Sequence, residues 1–284
     1  MDLEKYVKNF DFKKIIKIEE SDRQFLALKN SWKKIKKIQK NKNLFVRDGR
    51  DLSRSAGAVP LPITNNQLLI TNLFLFLILQ NALISYQIAW SWERWWEEFA
   101  SKIVKDRDRL QQMFEVDESN VDRWYKFITS SKHNKRIYNI KIGRLKRFEE
   151  FKNCLKKNSF EKYYNDMEKL LYDIAQTMGN WHETKTLTFA IKMFGYGARI
   201  VFKKFIPYPD NIKIPVDSRL IKIYESNFKH WEKLLNFDEH WKGRNKKINE
   251  KKIQDYFHDL AKKNKIPALH LDSLLWIKYR GEYF

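Results

Sequence analysis

Cysteine is almost absent from the sequence, since Cys154 is the single thiol among 284 residues. One thiol forms no internal disulfide and cannot supply the four thiolates of an iron–sulfur cluster or a structural zinc site. The six histidines have no metal-ligand spacing, so we expect neither a metal nor a cofactor. The N-terminal MDLEKYVKNFDFKK lacks the apolar core of a secretory signal, and we expect a reducing, cytoplasmic and nucleoid-associated location.

Glycine and proline are also scarce, with 8 and 6 residues respectively. So few turn-forming residues argue against a loop-rich β protein, and the abundance of Lys, Leu, Ile, Glu and Phe favours long helices. Apolar residues make up 43% of the chain, which is enough for a substantial core. The sequence therefore predicts an all-α fold, arranged as one large domain or two small subdomains.

Acidic residues are outnumbered, because 35 Asp and Glu face 56 Lys and Arg, for a formal net charge of +21. Such an excess favours a polyanionic partner, and the 10 Trp and 13 Tyr favour nucleic acid because their rings can stack on bases. The alternative is a lysine-rich solvated surface. The densest arginine-bearing patch spans residues 132–147. From it we select four DNA-backbone contacts, with a solvated helix face as the alternative: Lys135, Arg136, Arg144 and Arg147.

Two stretches have patterns that fit more than one location. Residues 1–60 form a basic N-terminal extension of unknown role, in which Trp32, Ile35 and Ile38 recur at helical spacing among lysines. Such a segment can lie on DNA, on an acidic membrane surface or on the body of the protein, and we favour the body. Residues 68–79 are almost wholly apolar but fall short of the roughly 20 residues that span a bilayer. We therefore expect a buried central helix there rather than a transmembrane one.

Residues 179–220 contain the strongest candidate for a chemical centre. A helix over 160–178 is predicted to stop at Gly179, and after a short turn a second helix is predicted over 186–203. This is a helix-hairpin-helix pattern. Exposed N–H groups at the N terminus of the second helix can hold a DNA phosphate, and Gly179 is the contact that we select.

Lys185 stands at the entrance of that second helix, and Phe189 and Lys192 follow on the same face at i+4 and i+7. A nucleophilic lysine must lose its proton, which the positive end of the helix dipole and the Lys192 cation both favour. Asp217 follows a proline-punctuated loop at the start of the next helix. It is either a helix N-cap or a carboxylate that stabilises positive charge on a sugar ring, and the two roles are compatible. The pair predicts amine-based covalent chemistry.

Several other residues have weaker signals with a structural alternative. Gln87 ends NALISYQ (81–87), the polar tail of the apolar stretch, and is either satisfied by the backbone or directed into a pocket. Trp124 begins a helix beside the basic patch. Asp272 and Trp276 share one face of a short last helix, where the tryptophan is by default a core anchor and the aspartate a helix cap.

Two motifs with their separation resemble the archaeal GO glycosylase family, the 8-oxoguanine DNA glycosylases of the helix-hairpin-helix superfamily. These motifs are KTLTFAIKMF (185–194) and IPVDSRL (214–220). The supporting matches are NALISYQ (81–87), WERWWEEFA (92–100), HNKRIYNIKIGRLKRF (133–148) and LDSLLW (271–276). The resemblance covers about residues 80–280 and leaves residues 1–60 without a clear counterpart.

The resemblance implies a fold and a reaction. The fold would be two helical subdomains flanking a cleft, in a glycosylase domain over 61–284 with its hairpin at about 161–203 and its aspartate loop at 207–220. The enzyme would be a bifunctional DNA N-glycosylase and abasic-site lyase of base excision repair. It would flip 8-oxoguanine out of single- or double-stranded DNA, excise it, and nick the strand by β-elimination through a lysine Schiff base. We expect a monomer with no membrane partner.

The resemblance also implies roles for single residues. Lys185 would attack C1′, and Asp217 would stabilise the oxocarbenium-like transition state. Phe189 and Trp276 would sandwich the flipped base. Further contacts to the base would come from Gln87, Trp124, Lys192, Pro215 and Asp272. The hairpin GNWHETK departs from the LPGVG-type sequence of the wider superfamily.

Two other functions remain open on the sequence. A non-catalytic helical DNA-binding protein explains the charge and the tryptophans, but it does not explain why Lys185 occurs together with the IPVD motif. A membrane-surface protein would bind lipid through residues 1–54 and 68–79. Product formation separates the enzyme from the first alternative, and a lipid flotation assay tests the second.

Overall fold

The computed structural model describes residues 3–8, 10–47, 64–88, 92–105, 119–179, 185–232 and 246–280. All regular secondary structure within these ranges is helical, which confirms the predicted all-α class. The helices are α1 (Leu3–Val7), α2 (Phe12–Glu20), α3 (Arg23–Arg47), α4 (Thr64–Ile84), α5 (Trp92–Lys105), α6 (Ser119–Ser130), α7 (Tyr138–Glu149), α8 (Phe151–Leu155), α9 (Phe160–Asn165), α10 (Met167–Met178), α11 (Lys185–Phe202), α12 (Ser218–Glu232), α13 (Lys246–Lys263) and α14 (Ala268–Lys278). The predicted hairpin turn at 180–184 lies outside the described residues.

The centre of the molecule is α4, which is apolar on all sides and is buried throughout residues 73–84. A helix that is hydrophobic all round needs partners on every side, and α11 packs along most of its length. Gly197 permits this close approach, because an added Cβ would lie 2.5 Å from Cδ1 of Ile78. The predicted buried helix is therefore confirmed. In the part of the chain that the structure describes, no helix is long and apolar enough to cross a membrane.

Two hydrophobic cores hold the chain together. The larger core joins side chains of α3 to α11 around α4, and the smaller core joins α1 and α2 to α12, α13 and α14. Ile214 and Val216, on either side of Pro215, are buried in the smaller core. The loop that follows α11 thus leads from one core to the other. This arrangement agrees with the predicted pair of helical subdomains flanking a cleft.

The N-terminal segment packs on the body of the protein, as favoured on its sequence. Leu3 is buried in the smaller core, whereas Phe25, Trp32 and Ile35 are buried in the larger one. The side chain of Ile38 lies outside the described part of the chain. The apolar side of α3 is buried, while Lys33, Lys34 and Lys37 of the same helix are exposed.

The single helix predicted over residues 160–178 is wrong, because the structure has two helices that meet at Asp166. The backbone of Asp166 leaves helical geometry at φ −137° and ψ 77°, and its carboxylate accepts a 2.9 Å hydrogen bond from the Lys169 amide. An aspartate commonly caps a new helix in this way, which competes with continuing the old one. The predicted stop at Gly179 is confirmed by its left-handed φ of 62°.

Candidate active site

A pocket of about 240 Å³ opens between the two cores. It is lined by Gln24, Ser85, Tyr86, Gln87, Trp92, Lys185, Thr186, Phe189, Lys192, Pro215, Asp217, Arg219, Asp272 and Trp276. The lining includes both predicted catalytic residues and six of the seven predicted base contacts. Residues from distant parts of the chain therefore meet at one place, as the lysine–aspartate hypothesis requires.

Lys185 is the first residue of α11, and its side chain is half exposed at the mouth of the pocket. Its Nζ lies 3.5 Å from Oε1 of Glu250 on α13. An exposed ion pair of this length contributes little to stability. The amine is thus held only weakly, and a substrate can displace the contact.

Asp217 serves as the N-cap of α12 and also lines the pocket. Its Oδ1 accepts a 2.9 Å hydrogen bond from the Leu220 amide, and its Oδ2 lies 3.4 Å from Nη2 of Arg219. The two roles weighed on the sequence therefore coexist in one side chain. The cap fixes the carboxylate in position, while 43% of the side chain remains exposed to the pocket and solvent.

The floor of the pocket contains a buried charge network. Asp272 accepts a 2.6 Å hydrogen bond from Lys192 on one oxygen and a 2.6 Å hydrogen bond from Arg219 on the other. All three side chains are at most 5% exposed. Burial alone would raise the pKa of Asp272, but the two cations outweigh it and hold that pKa below its usual value. The carboxylate therefore stays ionised.

This network changes the role expected for Lys192. The sequence suggested that the Lys192 cation favours loss of the proton from Lys185. In the structure its ammonium is neutralised by Asp272 at 2.6 Å, so it is not a free positive charge beside the amine. Lys192 is instead a fixed donor on the pocket floor.

Arg219 is a pocket residue that the sequence reasoning missed. Its guanidinium lies 4.8 Å from the ring centre of Trp276 and reaches both Asp272 and Asp217. Its buried Nε and Nη1 have no hydrogen-bond partner among the described residues. The available signal was its place two positions after Asp217 in the IPVDSRL motif. On the first turn of a capped helix, that spacing can direct the side chain toward the cap.

Aromatic rings form the walls. Phe189 lines the pocket one turn after Lys185 and meets Trp92 edge-on at 5.4 Å between ring centres. Trp96, 6.2 Å from Phe189, is fully buried, and its indole N–H has no acceptor among the described residues. Trp276 joins the lining from α14. Flat apolar walls of this kind suit a planar ligand.

Trp124 is the predicted base contact that the structure does not bring to the pocket. It is 4% exposed in the larger core, where its ring stacks on Phe99 at 5.9 Å. Its indole N–H already donates a 3.1 Å hydrogen bond to Gln80. The apolar surroundings and the occupied donor together make Trp124 a core residue.

Two glutamines reach the pocket by different routes. Gln87 lies at the rim, exposed, with a left-handed φ of 47°. Gln24 was missed because it belongs to the N-terminal segment, for which the resemblance offered no counterpart. It lies in the first turn of α3, is 2% exposed, and lines the pocket. No local pattern in the sequence distinguishes Gln24, since only the docking of α3 brings it there.

The basic patch divides into free and engaged side chains. Lys135, Arg136 and Arg147 are exposed. Arg144 is instead tied to the pocket wall: it donates 3.3 Å hydrogen bonds to the Leu83 carbonyl and to Oγ1 of Thr186, and it lies 4.1 Å from the ring centre of Tyr86. Its engaged guanidinium braces the wall.

Gly179 ends α10, and its own N–H donates a 3.1 Å hydrogen bond to the Gln176 carbonyl. That donor is consequently satisfied within the helix end. Any phosphate contact by the hairpin would use the amides that follow, at residues 180–184, which lie outside the described part of the chain.

The described residues form an all-helical fold, and the pocket between its two cores brings together the Lys185 amine and the Asp217 carboxylate. The AGOG family model, described as N-glycosylase/DNA lyase, matches residues 65–282. An N-glycosylase/DNA lyase of Methanococcus maripaludis is 38% identical over 204 residues, which are 72% of this chain and 70% of the relative. One of Methanopyrus kandleri is 34% identical over 201 residues, which are 71% of each chain.

A solved structure agrees on the fold. It is the crystal structure of Pa-AGOG, the 8-oxoguanine DNA glycosylase of Pyrobaculum aerophilum, in complex with 8-oxoguanosine. Its TM-score is 0.63 at 21% identity, and the match covers 96% of this chain and 84% of that one. The chain belongs to the AGOG family, and it is an N-glycosylase/DNA lyase. The alternative of a non-catalytic DNA-binding protein is thereby set aside, and residues 73–79 of the apolar run needed by the membrane-surface alternative are buried.

Proposed function

We propose that this enzyme flips 8-oxoguanine out of DNA, cleaves its N-glycosidic bond, and nicks the strand through a Schiff base on Lys185. The observation that carries the proposal is the meeting of Lys185 and Asp217 in one aromatic-walled pocket with an ionised floor. The structurally similar Pa-AGOG, which was solved with 8-oxoguanosine, supports the choice of base. We also propose that the enzyme acts as a monomer, on single- or double-stranded DNA, and a DNA substrate fits a cytoplasmic, nucleoid-associated location.

The flipped base would enter between Phe189 and Trp276. A pocket of about 240 Å³ suits one base rather than a base pair. Guanine and 8-oxoguanine differ at N7, which is protonated in the oxidised base, and at O8. The floor offers an acceptor in Asp272 and donors in Lys192 and Arg219, so both edges of the oxidised base can be paired. Gln24, Gln87 and Pro215 complete the contacts.

The reaction requires a neutral amine and a stabilised cationic sugar. As the bond from C1′ to the base breaks, positive charge develops on the deoxyribose, and the Asp217 carboxylate offsets it. The base leaves with the bonding electron pair and takes up a proton from solvent, and the Lys185 amine forms its bond to C1′. The proton that the amine loses passes to a nearby carboxylate, for which Asp217 and Glu250 are available. The sugar ring opens as the C1′–O4′ bond breaks and O4′ takes up a proton, which leaves a Schiff base between Lys185 and C1′. β-Elimination then removes a proton from C2′ and expels the 3′ phosphate as the C3′–O bond breaks.

The surface around the pocket would hold the DNA backbone. Lys135, Arg136 and Arg147 are exposed and suit phosphate contacts. Arg144 would act indirectly by bracing the wall formed by Tyr86 and Thr186. The hairpin after Gly179 would add backbone N–H donors at the start of α11.

An incision assay on a panel of duplexes, each with one damaged base, tests the proposal. We expect the wild type to release 8-oxoguanine and to nick that strand. Lys185→Ala should lose both products while retaining DNA binding, and Asp217→Asn should lose base release. Equal release of 8-oxoguanine by Lys185→Ala, or excision of every base except 8-oxoguanine, would contradict the proposal.

A further inference from the structure

Asp22 is a buried carboxylate that the reaction described above does not use. It immediately precedes α3 in the N-terminal segment, and its side chain is 0% exposed. Taking a carboxylate out of water costs free energy unless other groups compensate. Burial accordingly raises the pKa of Asp22, although the Lys192 and Arg280 cations oppose that rise. A side chain held in this place depends on its contacts.

The first of these contacts makes Asp22 the N-cap of α3. Its Oδ1 accepts a 3.0 Å hydrogen bond from the backbone N–H of Gln24, and its carbonyl accepts a 2.9 Å hydrogen bond from the backbone N–H of Leu26. Capping alone does not require burial, because Asp11 and Asp166 cap α2 and α10 from exposed positions. The enclosed position of Asp22 therefore points to a further role.

The same carboxylate reaches the two helices that carry the pocket floor. Oδ2 of Asp22 lies 3.5 Å from the hydroxyl of Tyr196 on α11, and that hydroxyl lies 3.1 Å from Oγ of Ser273 on α14. Tyr196 stands one turn after Lys192, and Ser273 directly follows Asp272. Asp22 thus ties the first turn of α3 to both of these helices.

Arg280 adds a second tie. Its Nη2 donates a 3.3 Å hydrogen bond to Oδ1 of Asp22, and its Nε lies 2.9 Å from Oε1 of Glu93. Arg280 follows α14, while Glu93 belongs to the first turn of α5, next to the pocket residue Trp92. Segments from four helices that line the pocket are therefore joined around one carboxylate.

Gln24 is the pocket residue that this arrangement holds in place. It is 2% exposed and lines the pocket, and no hydrogen bond ties its side-chain amide to the described residues. Its position depends on its backbone, which Asp22 fixes from two residues away. A side-chain amide without a protein partner can pair with the edge of a base, since it offers both a donor and an acceptor.

We propose that Asp22 is a positioning residue, which holds the Gln24 amide against the flipped base by locking the first turn of α3 to α11 and α14. The inference rests on the proposed function, because it takes the occupant of the pocket to be an oxidised guanine. In the described part of the chain, Asp22 has no contact with Lys185 or Asp217. The N-terminal segment therefore serves base recognition, and the sugar chemistry should not depend on Asp22.

Two readouts separate positioning from a general structural role. Binding of free 8-oxoguanosine, measured by calorimetric titration, depends on recognition of the base, whereas nicking of DNA at an abasic site needs no base. The test variant is Asp22→Asn, which keeps a good N-cap of similar size but removes the charge that faces Arg280. The matched control is Asp166→Asn, which makes the same change in the exposed cap of α10.

We expect Asp22→Asn to bind 8-oxoguanosine about five- to ten-fold more weakly than the wild type does. At saturating enzyme it should nick abasic-site DNA within about two-fold of the wild-type rate. Asp166→Asn should match the wild type in both measurements. Equal losses of binding and nicking, or wild-type binding by folded Asp22→Asn, would overturn the proposal.

A double-mutant cycle links the effect to Gln24. In a Gln24→Ala background, Asp22→Asn should weaken 8-oxoguanosine binding by less than about two-fold, because no amide remains to be positioned. A further loss as large as the one in the wild-type background would overturn the proposal. If Asp22→Asn does not fold, Arg280→Gln removes the second tie from a partly exposed position. It carries the same cycle, with an expected loss of about three- to five-fold that Gln24→Ala should abolish.

Failure of the proposed function has a different signature. A wild-type enzyme that neither binds 8-oxoguanosine nor excises 8-oxoguanine would overturn the base assignment together with the role of Asp22. Wild-type binding accompanied by additive losses in the cycle would overturn the role of Asp22 alone.

Discussion

The floor and the mouth of the pocket are built differently. On the floor, Lys192, Asp272 and Arg219 are buried and joined by 2.6 Å contacts. At the mouth, Lys185 and Asp217 are about half exposed, and their ionic contacts are 3.5 and 3.4 Å long. The floor is therefore preorganised in the absence of DNA, while the Lys185 amine at the mouth remains adjustable.

This difference separates recognition from chemistry. A rigid floor can discriminate one oxidised base because its donors and acceptor are already in position and lose little freedom on binding. A loosely paired amine can leave its carboxylate neighbour and approach C1′. Arg219 links the two parts, since it contacts Asp272 on the floor and Asp217 at the mouth.

The largest loss of stability is expected for Asp272→Ala on the floor. It leaves Lys192 and Arg219 buried without their shared carboxylate, which should cost about 3–5 kcal/mol of the free energy of unfolding. Urea denaturation measures the change. Lys192→Met/Asp272→Leu, which removes one of the stranded cations, should lose less. A cost below about 1 kcal/mol for Asp272→Ala would show that the floor is not a coupled network.

Asp272 should also make the stability of the protein depend on pH. The pKa of Asp272 is lower in the folded protein, so the unfolded chain takes up the proton first as the pH falls. Its stabilising contribution should be complete above about pH 4 and should shrink as the pH falls through the lowered pKa. The stability difference between wild type and Asp272→Ala, followed from pH 6 downward, checks the sign. A stability difference that grew as the pH fell would contradict the predicted sign.

Arg219→Lys should have an intermediate effect, because it keeps the charge but loses the fork that reaches two carboxylates. We expect a cost of about 1–3 kcal/mol in stability and a fall of about ten-fold or more in single-turnover base release. Arg219→Met, which also removes the charge, should be worse in both measurements. If Arg219→Lys released the base at the wild-type rate, the link that Arg219 makes between floor and mouth would have no role in base release.

Asp217→Asn should leave stability within about 1 kcal/mol of the wild type, because asparagine is also a good N-cap. Base release should nevertheless fall by about 10²–10³-fold, since the charge that stabilises the sugar cation is gone. Chemical denaturation and single-turnover kinetics on one preparation give both values. If Asp217→Asn lost both its folded structure and base release, Asp217 would have a structural role only.

Glu250→Gln should have the smallest effect. Its contact with Lys185 is long and exposed, so stability should change by less than about 0.5 kcal/mol. Base release should stay within about three-fold of the wild type, because Asp217 remains to accept the proton. A loss as large as that of Asp217→Asn would identify Glu250 as the main proton acceptor.

Much of the fold and site was readable from local patterns. The all-α class, the buried α4 and the stop at Gly179 follow from composition and helical spacing. Lys185, Phe189 and Lys192 were found because one helix face displays them together. Asp217, Asp272 and Trp276 came from short motifs with recognisable neighbours.

The other features of the site depend on long-range packing, which leaves no pattern in the local sequence. Gln24 reaches the pocket only because α3 docks beside α11. A short match predicts a contact between Trp124 and the base, whereas the ring of Trp124 is enclosed in the larger core. Arg144 looked like a surface cation, but its contacts with Tyr86 and Thr186 arise from the packing of α7 near α4 and α11.

The central claim is that one amine and one carboxylate act on a single deoxyribose carbon. Borohydride reduction of the enzyme during turnover on 8-oxoguanine DNA, followed by peptide mapping of the trapped adduct by mass spectrometry, tests it most directly. We expect the sugar remnant on Lys185, and a greatly reduced yield of the adduct from Asp217→Asn. An adduct on Lys192 or on any other lysine, or no adduct while the strand is still nicked, would contradict the claim.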